Sequence, residues 1–225
     1  MRGKFITFEG GEGTGKSTQV AILGARLESY GLAVQLTREP GGSPGAEIIR
    51  HVLLTGAAKP LGADVEAMLF AAARDDHVQC TILPALRSGK WVVCDRFADS
   101  TRVYQGILGQ VDQKLINVLE RVSVGELGPD LTVILDLPVQ VGLERAKLRR
   151  GPAQADRFEG EGADFHERLR EAYLAIATRE PDRCVVIDAI ASKDVVADAI
   201  WQAVQSRLQP SAVRRADEPI TAAKA

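Results

Sequence analysis

The densest chemistry in the chain lies close to its start. Gly10-Gly11-Glu12-Gly13-Thr14-Gly15-Lys16-Ser17 fits the spacing G-x-x-x-x-G-K-[ST]. Glycines at these positions let successive backbone N–H groups turn inward around phosphate oxygens, and a helix opening at Lys16 adds the positive end of its dipole. Lys16 would then reach the β- and γ-phosphates of ATP, and the Ser17 hydroxyl would hold Mg2+. Gly10, Gly11, Glu12, Gly13, Thr14, Gly15, Lys16, Ser17 and Thr18 are the predicted nucleotide-binding residues. A chance glycine turn would satisfy the spacing alone. This one also has a strand-like run, Phe5-Ile6-Thr7-Phe8, just before it and a helical pattern just after it.

A metal held by Ser17 needs an acidic partner at the end of a neighbouring strand. Asp95, Asp136 and Asp188 each close an apolar run. Asp95 is preferred, because Arg96 follows it and gives one loop both an anion for a metal and a cation for phosphate. Asp136 and Asp188 read as strand-end caps. Arg38, Arg74, Arg96 and Arg102 are candidates for a second phosphate-binding set, the mark of a kinase with a phosphorylated acceptor. No N-K-x-D sequence of the guanine-reading kind is present.

A further basic cluster, Lys147, Arg149, Arg150 and Arg157, falls in a polar, glycine-bearing stretch at about 147–163, with Arg168 beyond it. Such a loop reads as a lid that closes over a nucleotide, excludes water and adds positive charge. Arg149, Arg150 and Arg157 are the predicted catalytic cations of that lid, unranked. The bland alternative is a solvated charge run.

These residues need a scaffold that brings distant loops together. Strand-like runs recur at 5–8, 34–37, 91–94, 131–135 and 184–187. Helical patterns fill 16–30, 44–54, 64–88, part of 100–125, 143–148, 164–178 and 193–208. Short apolar strands alternating with helices predict an α/β fold: a P-loop NTPase of three layers, with a mostly parallel five-stranded sheet covered on both faces and a small lid. The expected organisation is a single domain over 1–208, an acceptor-binding region at about 38–105, and a flexible tail at 209–225.

Composition excludes several classes. Among 225 residues, 28 are basic and 30 acidic, a net charge of -2. That balance does not suit non-specific binding to nucleic-acid polymers. No apolar run approaches the ~18 residues a membrane span needs, and the first residues show no signal-peptide pattern. Cys80, Cys94 and Cys184 lack metal-ligand spacing and fit a reducing, cytoplasmic setting. His51, His77 and His166 are scattered.

Three segments carry a resemblance: Phe8-Glu9-Gly10-Gly11-Glu12-Gly13-Thr14-Gly15-Lys16-Ser17-Thr18, then Thr37-Arg38-Glu39-Pro40-Gly41-Gly42, then Asp95 through Gly106 with Arg96, Ser100, Tyr104 and Gln105 in place. With them the chain resembles the thymidylate kinases, from residue 3 to about 208. The resemblance implies ATP and dTMP as substrates, Mg2+ as cofactor, dTDP as product for dTTP synthesis, and a homodimer. It implies that Phe70 stacks on thymine and Arg74 donates to a thymine carbonyl. Arg96 and Arg38 would hold the monophosphate, and Ser100 and Thr101 would lie against the base. Tyr104 would pack under the sugar, Gln105 would support the pocket, and Glu12 would approach both the acceptor's 3′-hydroxyl and the metal. The phosphate loop carries no arginine, which resembles the bacterial type whose lid supplies the cation. Phe97 and Asp99 are expected to leave these roles undisturbed, and Arg102 has no familiar counterpart. Rival readings are a kinase for another nucleotide such as dUMP, a nucleotide-binding regulator without turnover, and a kinase for a non-nucleotide acceptor.

Overall fold

The computed structural model describes residues 2–150, 158 and 160–210. Arg157, the side chain of Arg150 and the tail beyond 210 lie outside the described residues.

Five strands, β1 (Phe5–Glu9), β2 (Val34–Arg38), β3 (Trp91–Asp95), β4 (Leu131–Asp136) and β5 (Cys184–Asp188), form one parallel sheet in the order β2-β3-β1-β4-β5. The three inner strands β3, β1 and β4 are buried on both faces, which is why they read as nearly unbroken apolar runs, whereas the edge strand β2 is partly exposed. Successive side chains alternate between those faces. Ile6 and Phe8 join Leu23 and Leu27 of α1 (Lys16–Ser29) and Ile200 and Val204 of α9 (Lys193–Leu208). Phe5 faces the other way, among Val78, Ile82, Leu86 and Phe97. The same alternation puts Thr7 and Glu9 on that second, buried face, where polar groups must find partners. Thr7 Oγ1 pairs with Thr132 Oγ1 of β4 at 2.9 Å.

The helices differ from the sequence expectation in three places. The stretch predicted as one helix at 64–88 is α3 (Ala63–His77), a π turn (Val78–Ile82) and α4 (Leu83–Arg87). Pro84 lacks the N–H that an unbroken helix would use there, and the wider turn accommodates it. The region 100–125 resolves into α5 (Ala98–Thr101), a π turn (Arg102–Leu108) and α6 (Gln113–Val124). The carboxylate of Asp112 caps α6 by accepting from the Lys114 N–H at 2.8 Å. Finally, α7 runs from Val139 to Arg150. Lys147, Arg149 and Arg150 are therefore helical and not part of a loop starting at 147. The remaining helices are α2 (Pro44–Leu54) and α8 (Ala163–Arg179). Among the described residues, no helix is long and apolar enough to cross a membrane.

Candidate active site

Parallel strands all end at the same sheet edge, so the loops that follow β1, β2 and β3 converge there. They line a cleft of about 340 Å3. From the phosphate loop it takes Glu12, Gly13, Gly15, Lys16, Ser17 and Thr18. Gly10, Gly11 and Thr14 stand on the far side of that loop, beside a separate cavity of about 20 Å3.

The loop is shaped by what presses on it. Gly13 has φ +69, and a Cβ there would lie 2.0 Å from the Gly142 carbonyl oxygen. A Cβ on Gly142 would in turn lie 2.4 Å from the Glu12 carbonyl oxygen, so α7 rests directly on the loop backbone. Lys16 is buried, and its Nζ donates to Gly11 O at 2.7 Å and Gly10 O at 3.1 Å. Burial and the nearby Arg96 guanidinium pull its ammonium down to about 8, against the carboxylates of Glu12, Asp95 and Glu9.

Ser17 Oγ donates to Asp95 Oδ2 at 2.5 Å. Asp136 is taken by Arg170, at 2.6 and 2.9 Å, and Asp188 accepts from the Ile190 N–H at 2.9 Å. Of the three acidic candidates, Asp95 is the one beside Ser17. No group of three or more His, Cys, Asp or Glu among the described residues could hold a metal ion by itself. Mg2+ keeps most of its water and takes one or two protein oxygens beside substrate phosphates, so the Ser17–Asp95 pair fits it.

Arg96 occupies the middle of the cleft, with a backbone φ of +68. A non-glycine residue holds that conformation only when its surroundings fix it. Here the Arg96 N–H donates to Phe8 O at 2.9 Å, Nη1 to Gly10 O and the Tyr173 hydroxyl at 3.2 Å each, and Nη2 to Glu12 Oε1 at 2.7 Å. Its guanidinium carbon lies 5.3 Å from the centre of the Tyr104 ring. Burial alone would raise the Glu12 carboxyl, but Arg96, Lys16 and Arg149 outweigh it and hold it at about 2. Behind Arg96 sits Glu9, fully buried, accepting from the Phe97 N–H at 2.8 Å, Ser100 Oγ at 2.7 Å and the Tyr173 hydroxyl at 3.0 Å.

On the other side, Phe70 and Arg74 lie one turn apart on α3 and both line the cleft. Arg74 is 3% exposed. It donates to Glu39 Oε2 at 2.8 Å, Thr101 Oγ1 at 3.0 Å and Phe97 O at 3.2 Å. Glu39 also meets His77 Nδ1 at 3.0 Å, and His77 Nε2 meets Thr37 Oγ1 at 2.6 Å. Ser100, Thr101, Tyr104 and Gln105 complete that wall. Phe158 stands edge-on to Tyr104, ring centres 5.0 Å apart, and 6.3 Å from Phe70. Arg38 is at the rim, half-exposed and paired with Glu47 at 2.9 Å.

Of the predicted lid cations, Arg149 reaches the cleft from the last turn of α7. Arg102 does not join the phosphate-binding set. It turns away to Glu120, Asp99 and Glu180, and it lies outside the cleft lining. Sequence reasoning assigned no role to Glu9, Glu39, His77, Phe158 or Tyr173. Glu9 and Glu39 lie inside the segments that carried the resemblance. Tyr173, on an ordinary helical repeat, gave no signal.

Comparison with known proteins places this geometry. The family model for thymidylate kinase matches residues 8–200. The chain belongs to the thymidylate kinase family. It is 63% identical to the thymidylate kinase of Nitrobacter winogradskyi over 207 residues, covering 92% of this chain and 90% of that protein. To the thymidylate kinase of Bradyrhizobium diazoefficiens it is 60% identical over 210 residues, 93% of this chain and 92% of that one. The crystal structure of thymidylate kinase from Ehrlichia chaffeensis superposes with a TM-score of 0.73 at 33% identity, covering 91% of this chain and 100% of that chain. Membership in the thymidylate kinase family accounts for the parallel five-stranded sheet flanked by helices, and makes the chain a nucleotide kinase.

Proposed function

We propose that this chain transfers the γ-phosphoryl group of ATP to the phosphate of dTMP, giving dTDP and ADP for dTTP synthesis. One observation carries the reading: a single guanidinium, Arg96, touches the phosphate loop at Gly10 and Glu12 and also lies against Tyr104 of the opposite wall. A donor phosphate on the loop and an acceptor phosphate before Tyr104 would meet at that cation.

The backbone of Gly10 through Thr18 cradles the donor phosphates, with Lys16 leaving the Gly10 and Gly11 carbonyls for phosphate oxygens. Mg2+ on Ser17 and Asp95 would neutralise charge on the β- and γ-phosphates. Phe70 offers its face to thymine, Arg74 offers a donor held in place by Glu39, and Ser100, Thr101 and Gln105 close the base pocket. Tyr104 underlies the sugar, Arg38 assists at the rim, and Glu12 faces the acceptor's 3′-hydroxyl. An oxygen of the acceptor phosphate forms the new bond to phosphorus as the β,γ-bridging bond breaks and leaves its electron pair on ADP. No protein nucleophile is needed. Arg96, with Arg149 and the further lid arginines Arg150 and Arg157, offsets the repulsion between the two anions. The protein works in the cytoplasm as a homodimer.

The test is ADP release from the full chain with ATP and Mg2+, across dTMP, dUMP, dCMP, dGMP and AMP. Preference for dTMP is expected, with dUMP weaker by the modest factor one missing methyl allows. Lys16→Ala and Arg96→Ala should each lower kcat by roughly 100-fold or more. Best turnover on another monophosphate would discard the roles of Phe70 and Arg74.

A further inference from the structure

Asp99, Ser100 and Thr101 are consecutive, yet their side chains enter different networks. Ser100 and Thr101 line the cleft, and Asp99 does not. Asp99 is 3% exposed, and its carboxylate is gripped by Arg183 from the turn before β5. Arg183 Nη1 donates to Oδ2 at 2.7 Å and Nη2 to Oδ1 at 2.8 Å, while Arg102 Nη1 adds a donor to Oδ1 at 3.3 Å.

The grip continues inward. Arg183 Nη1 also donates to Thr132 Oγ1 at 2.8 Å, and Thr132 pairs with Thr7 at 2.9 Å. Both threonines are fully buried. A polar ladder thus runs from β1 through β4 and Arg183 to Asp99. Outward, Glu180 accepts from Arg183 Nε at 2.7 Å and from Arg102 Nη1 at 2.9 Å.

The turn that bears Ser100 and Thr101 needs such an anchor. α5 has four residues, too few for a helix to hold itself, and a π turn follows it. An arginine fork on a carboxylate fixes both position and plane, because two parallel hydrogen bonds define an orientation. A carboxylate this buried has no ready exchange with water, so losing its partner is costly. We infer that Arg183 and Asp99 are a positioning pair for the acceptor site: they touch no substrate, but hold the Ala98–Thr101 turn where Ser100 and Thr101 meet the acceptor base. The inference rests on the acceptor role proposed above for those two residues. The hydrogen bonds that build the ladder join Thr7, Thr132, Arg183 and Asp99 and involve none of Gly10–Thr18, so its loss should fall first on the acceptor.

The experiment compares Asp99→Asn and Arg183→Lys with the wild type as full-length chains. KM for dTMP, KM for ATP, kcat and Tm are measured together. Each variant should raise KM for dTMP by about tenfold or more, with KM for ATP within about twofold. A clamp serving stability alone would lower Tm and the active fraction and leave both KM values in place. Unchanged KM for dTMP, or parallel increases for both substrates, overturns the proposal. If Asp99→Asn fails to fold, Arg183→Lys, which keeps the charge and loses the fork, decides. A wild-type chain that binds ATP and ignores dTMP would show, before any variant is made, that the acceptor assignment itself is wrong and the pair's role with it.

Discussion

Glu9 and Glu12 flank the same two glycines, and their surroundings drive them in opposite directions. Burial and the charge of Asp99 raise Glu9 to about 7, despite Arg96, Ser100 and the Phe97 N–H. Glu12, partly exposed to the cleft, is held at about 2 by Arg96 and Lys16. Their contributions to stability follow with opposite signs. Glu9 ionises more readily unfolded than folded, so falling pH favours the fold as it passes from about 7 toward the ordinary value of 4.5. Glu12 contributes stability above 4.5 that is lost as pH falls toward 2. Glu9→Gln removes the first contribution and leaves the second. Melting curves taken from about pH 8 to pH 5 should show wild-type Tm gaining on the variant by a few degrees as pH falls. A constant difference across that range would mean Glu9 does not titrate there. Such pairing explains what was legible at this scale. Lys16, Ser17 and Asp95 announced themselves by type and spacing, whereas Glu9 and Tyr173 became visible only once β1 and α8 were brought together. Asp99 gave no signal for the same reason. Its partner Arg183 is remote in sequence, and no local pattern links them.

Among the elements, α7 does more than its sequence suggested. Its first turn, Val139-Gln140-Val141, alternates like a strand, which hid the helix start, and its basic end resembled a loop. The fold makes it a rod that touches the phosphate loop at Gly142 and presents Arg149 to the cleft. Gly142→Ala tests that contact, since alanine improves helix propensity by ~1 kcal/mol while placing a methyl 2.4 Å from the Glu12 carbonyl oxygen. The expected outcome is kcat/KM for ATP reduced about tenfold, with helical circular dichroism unchanged. Wild-type kinetics would show that the loop tolerates a shift of α7. The strands, by contrast, were all legible: burial on both faces leaves apolar runs in β1, β3 and β4, and the partly exposed edge strands β2 and β5 still keep enough β-type residues to stand out. The breaks at Val78–Ile82 and Arg102–Leu108 were not, since a π turn shifts the helical repeat over only one short stretch, too little to stand out in an apolar pattern.

For the molecule as a whole, apolar side chains on three packed helices remain exposed among the described residues. Ile48 and Val52 lie one turn apart on α2, and Val118 and Val122 one turn apart on α6. All four are exposed, Ile48 at 72% and Val122 at 71%, with Met68 of α3 also exposed. α3 packs against both helices. An apolar surface of this kind suits the proposed homodimer. Val122→Glu should convert a dimer to a monomer in sedimentation, with the fold retained by circular dichroism. An unchanged mass would move the contact elsewhere. The strand order has a consequence in time as well. β1 is made first, yet it lies between β3 and β4 and does not pair with β2. Its phosphate loop is encoded by Ser17, yet the Gly142 wall it rests on emerges far later. A growing chain on the ribosome therefore carries the nucleotide signature long before it can grip a nucleotide. Competence arrives late, when β4 and α7 close over a phosphate loop made well before them.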